Sequence, residues 1–146
     1  MKDMLGKGLK REKGRKYGNT KVVYNGIKFD SKREMQRYLV LKDAESKGLI
    51  YCLTLQPKFE LVPAVRETYI KHLKTKDKEC ERTLQLAITY TADFSYYFGK
   101  EYVVEDCKIS KTLQPKEYVL KKKMMLALKG IKIREIYKPN EPVGNV

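Results

Sequence analysis

The sequence predicts an α/β protein with a central mixed β-sheet flanked by helices. Three observations carry that prediction. Short runs of β-branched and aromatic residues recur between turn signals, most densely over 84–107. Two stretches, 31–47 and 115–129, combine helical apolar spacing with start and stop residues. The resulting order is hairpin, helix, strands, helix, strand, which a sheet covered by helices satisfies.

Composition bounds the rest. The chain has 146 residues, 42% of them hydrophobic, which fits one domain with a real core. No apolar run approaches the roughly 18 residues needed to span a membrane, and the amino terminus lacks a signal-peptide pattern, so a cytoplasmic protein is expected. The net charge is +14, from 32 Lys and Arg against 18 Asp and Glu, which favours a polyanionic partner. Nucleic acid comes first and an anionic membrane surface second. Cys52, Cys80 and Cys107 lie far apart and His72 is the only histidine, so neither a zinc site of ordinary spacing nor histidine-based acid–base chemistry is expected.

Residues 1–16 are basic and contain three glycines, and read as a flexible arm. Arg15 and Lys16 are its candidate phosphate contacts; a solubilising tail is the alternative. A single domain is expected over 17–138, with a polar, frayed tail at 139–146. Within 21–29, Asn25-Gly26 between β-formers predicts a hairpin. Ser31 and Glu34 then fit a capping box opening a helix that Gly48 closes. Its inner stripe is Met35, Tyr38 and Leu39, with Leu41 alongside. Glu34 borders that stripe and is therefore both a cap and a candidate site residue.

Strands are expected over 49–55 and 58–62, either side of Gln56-Pro57. Gln56 is a weak candidate for a polar site residue beside a turn role. Tyr69-Ile70 extends a strand, and the charged segment 71–82 reads as a loop or irregular turn that touches DNA or is simply solvated. Residues 84–98 read as one long strand, with Leu84, Leu86, Ile88, Tyr90, Ala92 and Phe94 on one face and Asp93 on the other. Gly99-Lys100 turns the chain into a partner strand ending at Cys107-Lys108. After it, Pro115 opens a helix that Gly130 closes. Thr112 and Gln114, ahead of the helix, are candidate phosphate binders through their backbone amides. Lys121 is the helix lysine assigned to the cleft. Residues 131–137 form the last strand.

The chemistry concentrates in 90–108. Asp93 sits inside an apolar run, where a carboxylate is costly unless paired or metal-bound. Asp106 and Lys108 share a strand face with Val104, while Val103, Glu105 and Cys107 share the other. Two converging carboxylates raise each other's pKa, and a divalent cation resolves the repulsion. Mg²⁺ takes one or two carboxylates plus waters and phosphate oxygens. A lysine beside it stabilises phosphate charge. Asp93, Asp106 and Lys108 are thus what metal-dependent phosphodiester hydrolysis needs, with Mn²⁺ able to substitute.

Ala92-Asp93 followed by Asp106-Cys107-Lys108 resembles the PD-(D/E)XK nuclease signature. Residues 17–137 are similar to small phage proteins, grouped as a domain of unknown function, that carry a Tyr-x-Ala-Asp-Phe strand and a Val-Glu-Asp-x-Lys strand. Ala92 stands where the superfamily often has proline. Asp106 stands where glutamate is commoner, and Glu105 beside it is a competing third-motif acid; strand alternation favours Asp106. The resemblance implies a restriction-endonuclease-like core. Glu34 looks like the additional acidic residue of the Holliday-junction resolvase branch, making Asp93, Asp106 and Glu34 the metal ligands. It further implies an endodeoxyribonuclease acting on branched DNA in recombination, working as a homodimer in the host cytoplasm. From the residues alone, a non-catalytic basic nucleic-acid-binding module and a phage accessory protein remain the alternatives.

Overall fold

A computed structural model describes residues 20–144. The basic arm, with Arg15 and Lys16, lies outside the described residues. The chain opens with a hairpin, β1 (Val22–Tyr24) and β2 (Ile27–Phe29). Asn25 and Gly26 both take positive φ, 47° and 78°, as a two-residue turn matching strand twist requires. Helix α1 (Lys32–Ser46) follows. The capping box forms: the Glu34 amide donates to Ser31 Oγ at 3.2 Å, and the Glu34 carboxylate accepts from the Ser31 hydroxyl at 3.1 Å and from the Asp30 amide at 3.3 Å. Tyr38, Leu41 and Ala44 are buried as a helical stripe should be, but so is Arg37, and Leu39 is 38% exposed. The buried face is rotated from the sequence expectation because Arg37 has an acidic partner inside the protein.

Strands β3 (Tyr51–Leu55) and β4 (Lys58–Val62) flank Gln56-Pro57 as expected. The next segment departs from expectation. The charged residues read as a loop instead form a regular antiparallel hairpin, β5 (Val65–His72) and β6 (Asp77–Gln85). Their polar–apolar alternation is weak because neither face is covered, so there was no periodicity to read. The long strand expected over 84–98 is also divided, into the end of β6, β7 (Ile88–Thr91) and β8 (Phe94–Phe98). Strand β9 (Glu101–Cys107), α2 (Lys116–Lys129) and β10 (Arg134–Ile136) complete the chain. Gly130 caps α2 in the left-handed conformation, φ 67°.

The main sheet has the order β10-β9-β8-β3. It is mixed: β10 runs parallel to β9, and the other neighbours are antiparallel. Strand β7 pairs with β4 beyond it. The alternation expected for β9 holds. Val103 and Cys107 pack with α1 residues Tyr38, Leu41 and Ala44. Val104 packs with Tyr118 and Met125 of α2, together with Leu61, Tyr90, Ala92 and Ile133. The sheet is therefore filled on both faces, one helix to each.

The described part of the tail, residues 139–144, is not frayed. Arg37 Nη1 donates to the Pro139 carbonyl at 3.1 Å, Arg134 donates to the Pro142 carbonyl, and the Gly144 amide donates to the Tyr96 hydroxyl at 2.9 Å. Polar composition suggested solvent, but carbonyl groups are what buried guanidinium groups need. No helix among the described residues is long and apolar enough to cross a membrane.

Candidate active site

The site grows from two coincident irregularities. At Gln56 the backbone turns through positive φ, 49°, separating β3 from β4. Directly opposite, β7 gives way to β8 at Ala92-Asp93. The two breaks are tied together: the Gln56 amide donates to the Asp93 carbonyl at 2.8 Å and the Ala92 amide to the Pro57 carbonyl at 3.0 Å. A bulge of this kind re-aims side chains. Tyr90 and Ala92 face the α2 core, whereas Phe94 and Tyr96 face the α1 core. Ala92 and Phe94 therefore do not share a face, contrary to the parity of an unbroken strand.

Asp93 is aimed across to β9. Its Oδ2 accepts from the Cys107 amide at 2.7 Å, and Asp106 is the charged neighbour that acts most strongly on its carboxyl group. Burial, then Asp106, then Glu34 push the Asp93 carboxyl up to about 8. Asp106, itself buried, is held on both oxygens. Lys108 Nζ lies 3.0 Å from Oδ1, and the buried Tyr90 hydroxyl donates to Oδ2. Lys108 is fixed from its other side by the Tyr118 ring, 3.6 Å from Nζ to centroid. Burial, then the Asp106 charge, raises the Tyr90 phenol. The Tyr118 hydroxyl is buried and has no hydrogen-bond partner in the described residues.

Glu34 reaches the same neighbourhood from the start of α1. It lines a small pocket of about 110 Å³ with Gln56, Asp93 and the residues of β2. Burial raises its pKa, Ser31 and the Asp30 amide oppose this, and Asp30 and Asp106 raise it further. Gln56 thus has both the turn role and a place beside the site. Cys107 is not a reactive thiol: burial first, then the Asp93 charge, raise its pKa strongly.

Glu105 and Asp106 separate by face. Glu105 is fully buried on the α1 side, where Arg37 grips it from Nη2 at 2.6 Å and Nε at 2.8 Å. Arg134 at 3.0 Å and the Tyr96 hydroxyl at 2.6 Å complete its shell. Glu105 is committed to the core, and Asp106 is the acid that meets Asp93 and Lys108.

Among the described residues, no three His, Cys, Asp or Glu side chains gather into one metal-ready group. What gathers is a repelling carboxylate pair with a lysine, and an unpartnered phenol nearby. Those oxygens fit Mg²⁺, which needs one or two carboxylates and keeps its waters. Glu34 stays in its cap, close enough to be felt by Asp93 without joining the pair.

A family described as "Protein of unknown function (DUF1064)" matches residues 14–139. The chain belongs to the DUF1064 family. No curated protein and no solved structure gives a significant match.

In this DUF1064 chain the candidate phosphate contacts are only partly brought to the site. Lys121 is paired with Glu117 at 2.7 Å and lines a groove against β7. Lys122 is the lysine turned to the site, 5.6 Å from the Tyr118 centroid and 2.6 Å from Glu135. Thr112 and Gln114 precede the first helical residue, Lys116, so neither amide belongs to the helix terminus. The Thr112 amide donates to Ser110 Oγ at 3.2 Å, and the Gln114 side chain donates to Glu135. Tyr90 and Tyr118 escaped sequence reasoning as site residues. Tyr90 had one signal, a hydroxyl sitting in an otherwise apolar face; Tyr118 had none, because a tyrosine in a helix stripe reads as core.

Proposed function

We propose that this DUF1064 protein is a Mg²⁺-dependent DNA endonuclease with a restriction-endonuclease-like core, acting on branched DNA such as a Holliday junction. The observation that carries this reading is the pair of half-buried Asp93 and buried Asp106, with Lys108 held against it. A carboxylate pair held close enough to repel is an arrangement a divalent cation relieves. Asp93 and Asp106 would hold Mg²⁺, with Glu34 a further ligand once released from its cap. When bound, the ion supplies positive charge against the phosphate and a more acidic water.

The chain's own groups do the rest. Lys108, positioned by Asp106 and the Tyr118 ring, orients the attacking water and offsets charge on the phosphate oxygens. Tyr90 fixes the rotamer of Asp106. Water adds at phosphorus, the bond to the leaving ester oxygen breaks, and that oxygen takes up a proton. The net charge of +14 supplies sequence-tolerant affinity. Symmetric cutting of a junction needs two such sites, hence a homodimer.

The test is cleavage of a labelled four-way junction beside linear duplex and single strand, with Mg²⁺ or EDTA, for the wild type and Asp106→Asn. Junction cutting that needs both Mg²⁺ and Asp106 supports the whole reading. Equal cutting of every substrate keeps the nuclease and removes the junction preference. A second reading, a non-catalytic binding module, is favoured by the Lys108–Asp106 ion pair and the Glu34 cap, since both groups are satisfied without metal. It predicts tight binding indifferent to Mg²⁺ and to Asp106→Asn.

A further inference from the structure

The β5–β6 hairpin stands apart from the core. Every residue of the two strands is exposed except Glu67 and Cys80, which are half-buried. A two-stranded ribbon that buries nothing is marginal in water, so its regularity calls for another explanation. Its register supplies one. Side chains alternate between faces, and the two faces carry opposite arrangements of charge.

On one face each cation meets an acid. Arg66 lies 3.6 Å from Glu81, and His72 Nδ1 lies 2.7 Å from Asp77. The other face begins near the core with the Glu67–Arg82 pair, and Arg82 also covers the Tyr69 ring at 5.3 Å. Towards the tip the acids stop. Lys71 stands directly opposite Lys78, and neither has an acidic partner among the described residues. Like charges directly opposed across a ladder are destabilising. An anion between them reverses the sign of that interaction.

We infer that the Tyr69, Lys71 and Lys78 face of the β5–β6 ribbon is a clamp for the phosphate backbone of duplex DNA. The paired segment, Arg66–His72 against Asp77–Thr83, has a reach of roughly 23 Å at about 3.3 Å per residue. A ribbon of two strands fits the major groove, about 12 Å wide, and sets the two lysines at its walls. The acidic opposite face makes the ribbon one-sided, so it fixes which way the duplex lies against the protein. This assignment rests on the nucleic-acid part of the proposed function and not on catalysis.

The experiment is fluorescence anisotropy of a short labelled duplex in EDTA over a salt series, with the full chain. Lys71→Gln/Lys78→Gln should weaken binding on the order of 10- to 50-fold near 0.1 M salt and lower the salt slope by about 2, since each lost phosphate contact removes ~0.9. Lys71→Arg/Lys78→Arg should bind as the wild type does. The charge-matched control Lys42→Gln/Lys47→Gln, on α1, should lose little. Unchanged affinity and slope in the ribbon variant would overturn the clamp, while Mg²⁺-dependent cleavage by the same preparation would show the active-site reading intact. Equal losses in ribbon and control variants would also overturn it, by reducing the effect to net charge. A wild type that binds no duplex overturns the clamp and the nucleic-acid reading together. Far-UV circular dichroism of each variant excludes misfolding, and removing the Lys–Lys opposition should not lower Tm.

Discussion

Replacing Asp93 by asparagine should make the metal-free protein more stable at pH 8 and erase a pH dependence the wild type must show. In the fold, the Asp93 carboxyl is pushed up to about 8 by burial first and then by Asp106 and Glu34. In the unfolded chain it returns to near 3.8. Between those values the folded state holds a proton that the unfolded state has lost, so stability falls as pH rises from about 4 to 8 and levels off above. The gap of about 4 corresponds to roughly 6 kcal/mol at ~1.4 kcal/mol for each pKa step. Rearrangement around a group that is not wholly enclosed returns part of this, leaving roughly 2–5 kcal/mol, a large share of the 5–15 kcal/mol typical of a domain. Asparagine keeps the acceptor for the Cys107 amide but carries no charge, so Asp93→Asn should flatten the profile. The assay is urea unfolding at pH 5, 6, 7 and 8 with EDTA, repeated with Mg²⁺. Mg²⁺ should stabilise the wild type at pH 8, where Asp93 is about half ionised, and much less at pH 5, where it holds its proton. A wild type whose stability is flat between pH 5 and 8, or an Asp93→Asn profile that tracks it with and without Mg²⁺, would refute the reasoning.

The other predictions concern groups around the pair. Glu105→Gln leaves the buried Arg37 without its counter-charge and should cost about 3–5 kcal/mol, seen as a drop in the urea midpoint with Mg²⁺ dependence retained. Truncation after Lys138 removes the carbonyl partners of Arg37 and Arg134, and should lower Tm clearly where a frayed tail would leave it unchanged. Tyr118→Phe deletes a buried hydroxyl that has no partner among the described residues and keeps the ring that holds Lys108, so stability should hold or rise slightly in urea unfolding and, under the proposed function, the cleavage rate should stay within about twofold.

Much of the fold was legible because it rests on local chemistry. Asn25-Gly26, the Ser31–Glu34 box and Gly130 each specify a turn, a start and a stop through a single backbone requirement, and all three appear where the residues demand them. The period-2 alternation of β9 was equally readable, since a strand buried on both faces shows which residues travel together but still orders them by parity. It assigned Asp106 and Lys108 to one side and Glu105 to the other. What could not be read was pairing over long separations. Arg37 looks like a surface residue on a charged helix until Glu105, 68 positions away, is placed beneath it. The β5–β6 hairpin was opaque for the opposite reason: nothing covers it, so no burial pattern was impressed on its sequence.

The position of Asp93 is the case where local reasoning failed in its steps and still reached a useful residue. An uninterrupted strand would have put Asp93 opposite Tyr90, Ala92 and Phe94. The backbone breaks before it, so Ala92 and Phe94 part faces, while the β8–β9 register, with Phe94 opposite Glu105 and Ser95 opposite Val104, carried one residue further sets Asp93 against Asp106. Two carboxylates directly opposed across a ladder repel each other, so the pairing itself opposes this position and something else must hold it. Backbone hydrogen bonds at the neighbouring break deny the pair room to move apart. The Gln56 and Ala92 amides lock the two breaks together, the Cys107 amide anchors the Asp93 carboxylate, and Lys108 and Tyr90 anchor Asp106. The energy of those contacts maintains a repulsion that the isolated side chains would relax, and such maintained repulsion is the condition under which a bound cation gains most.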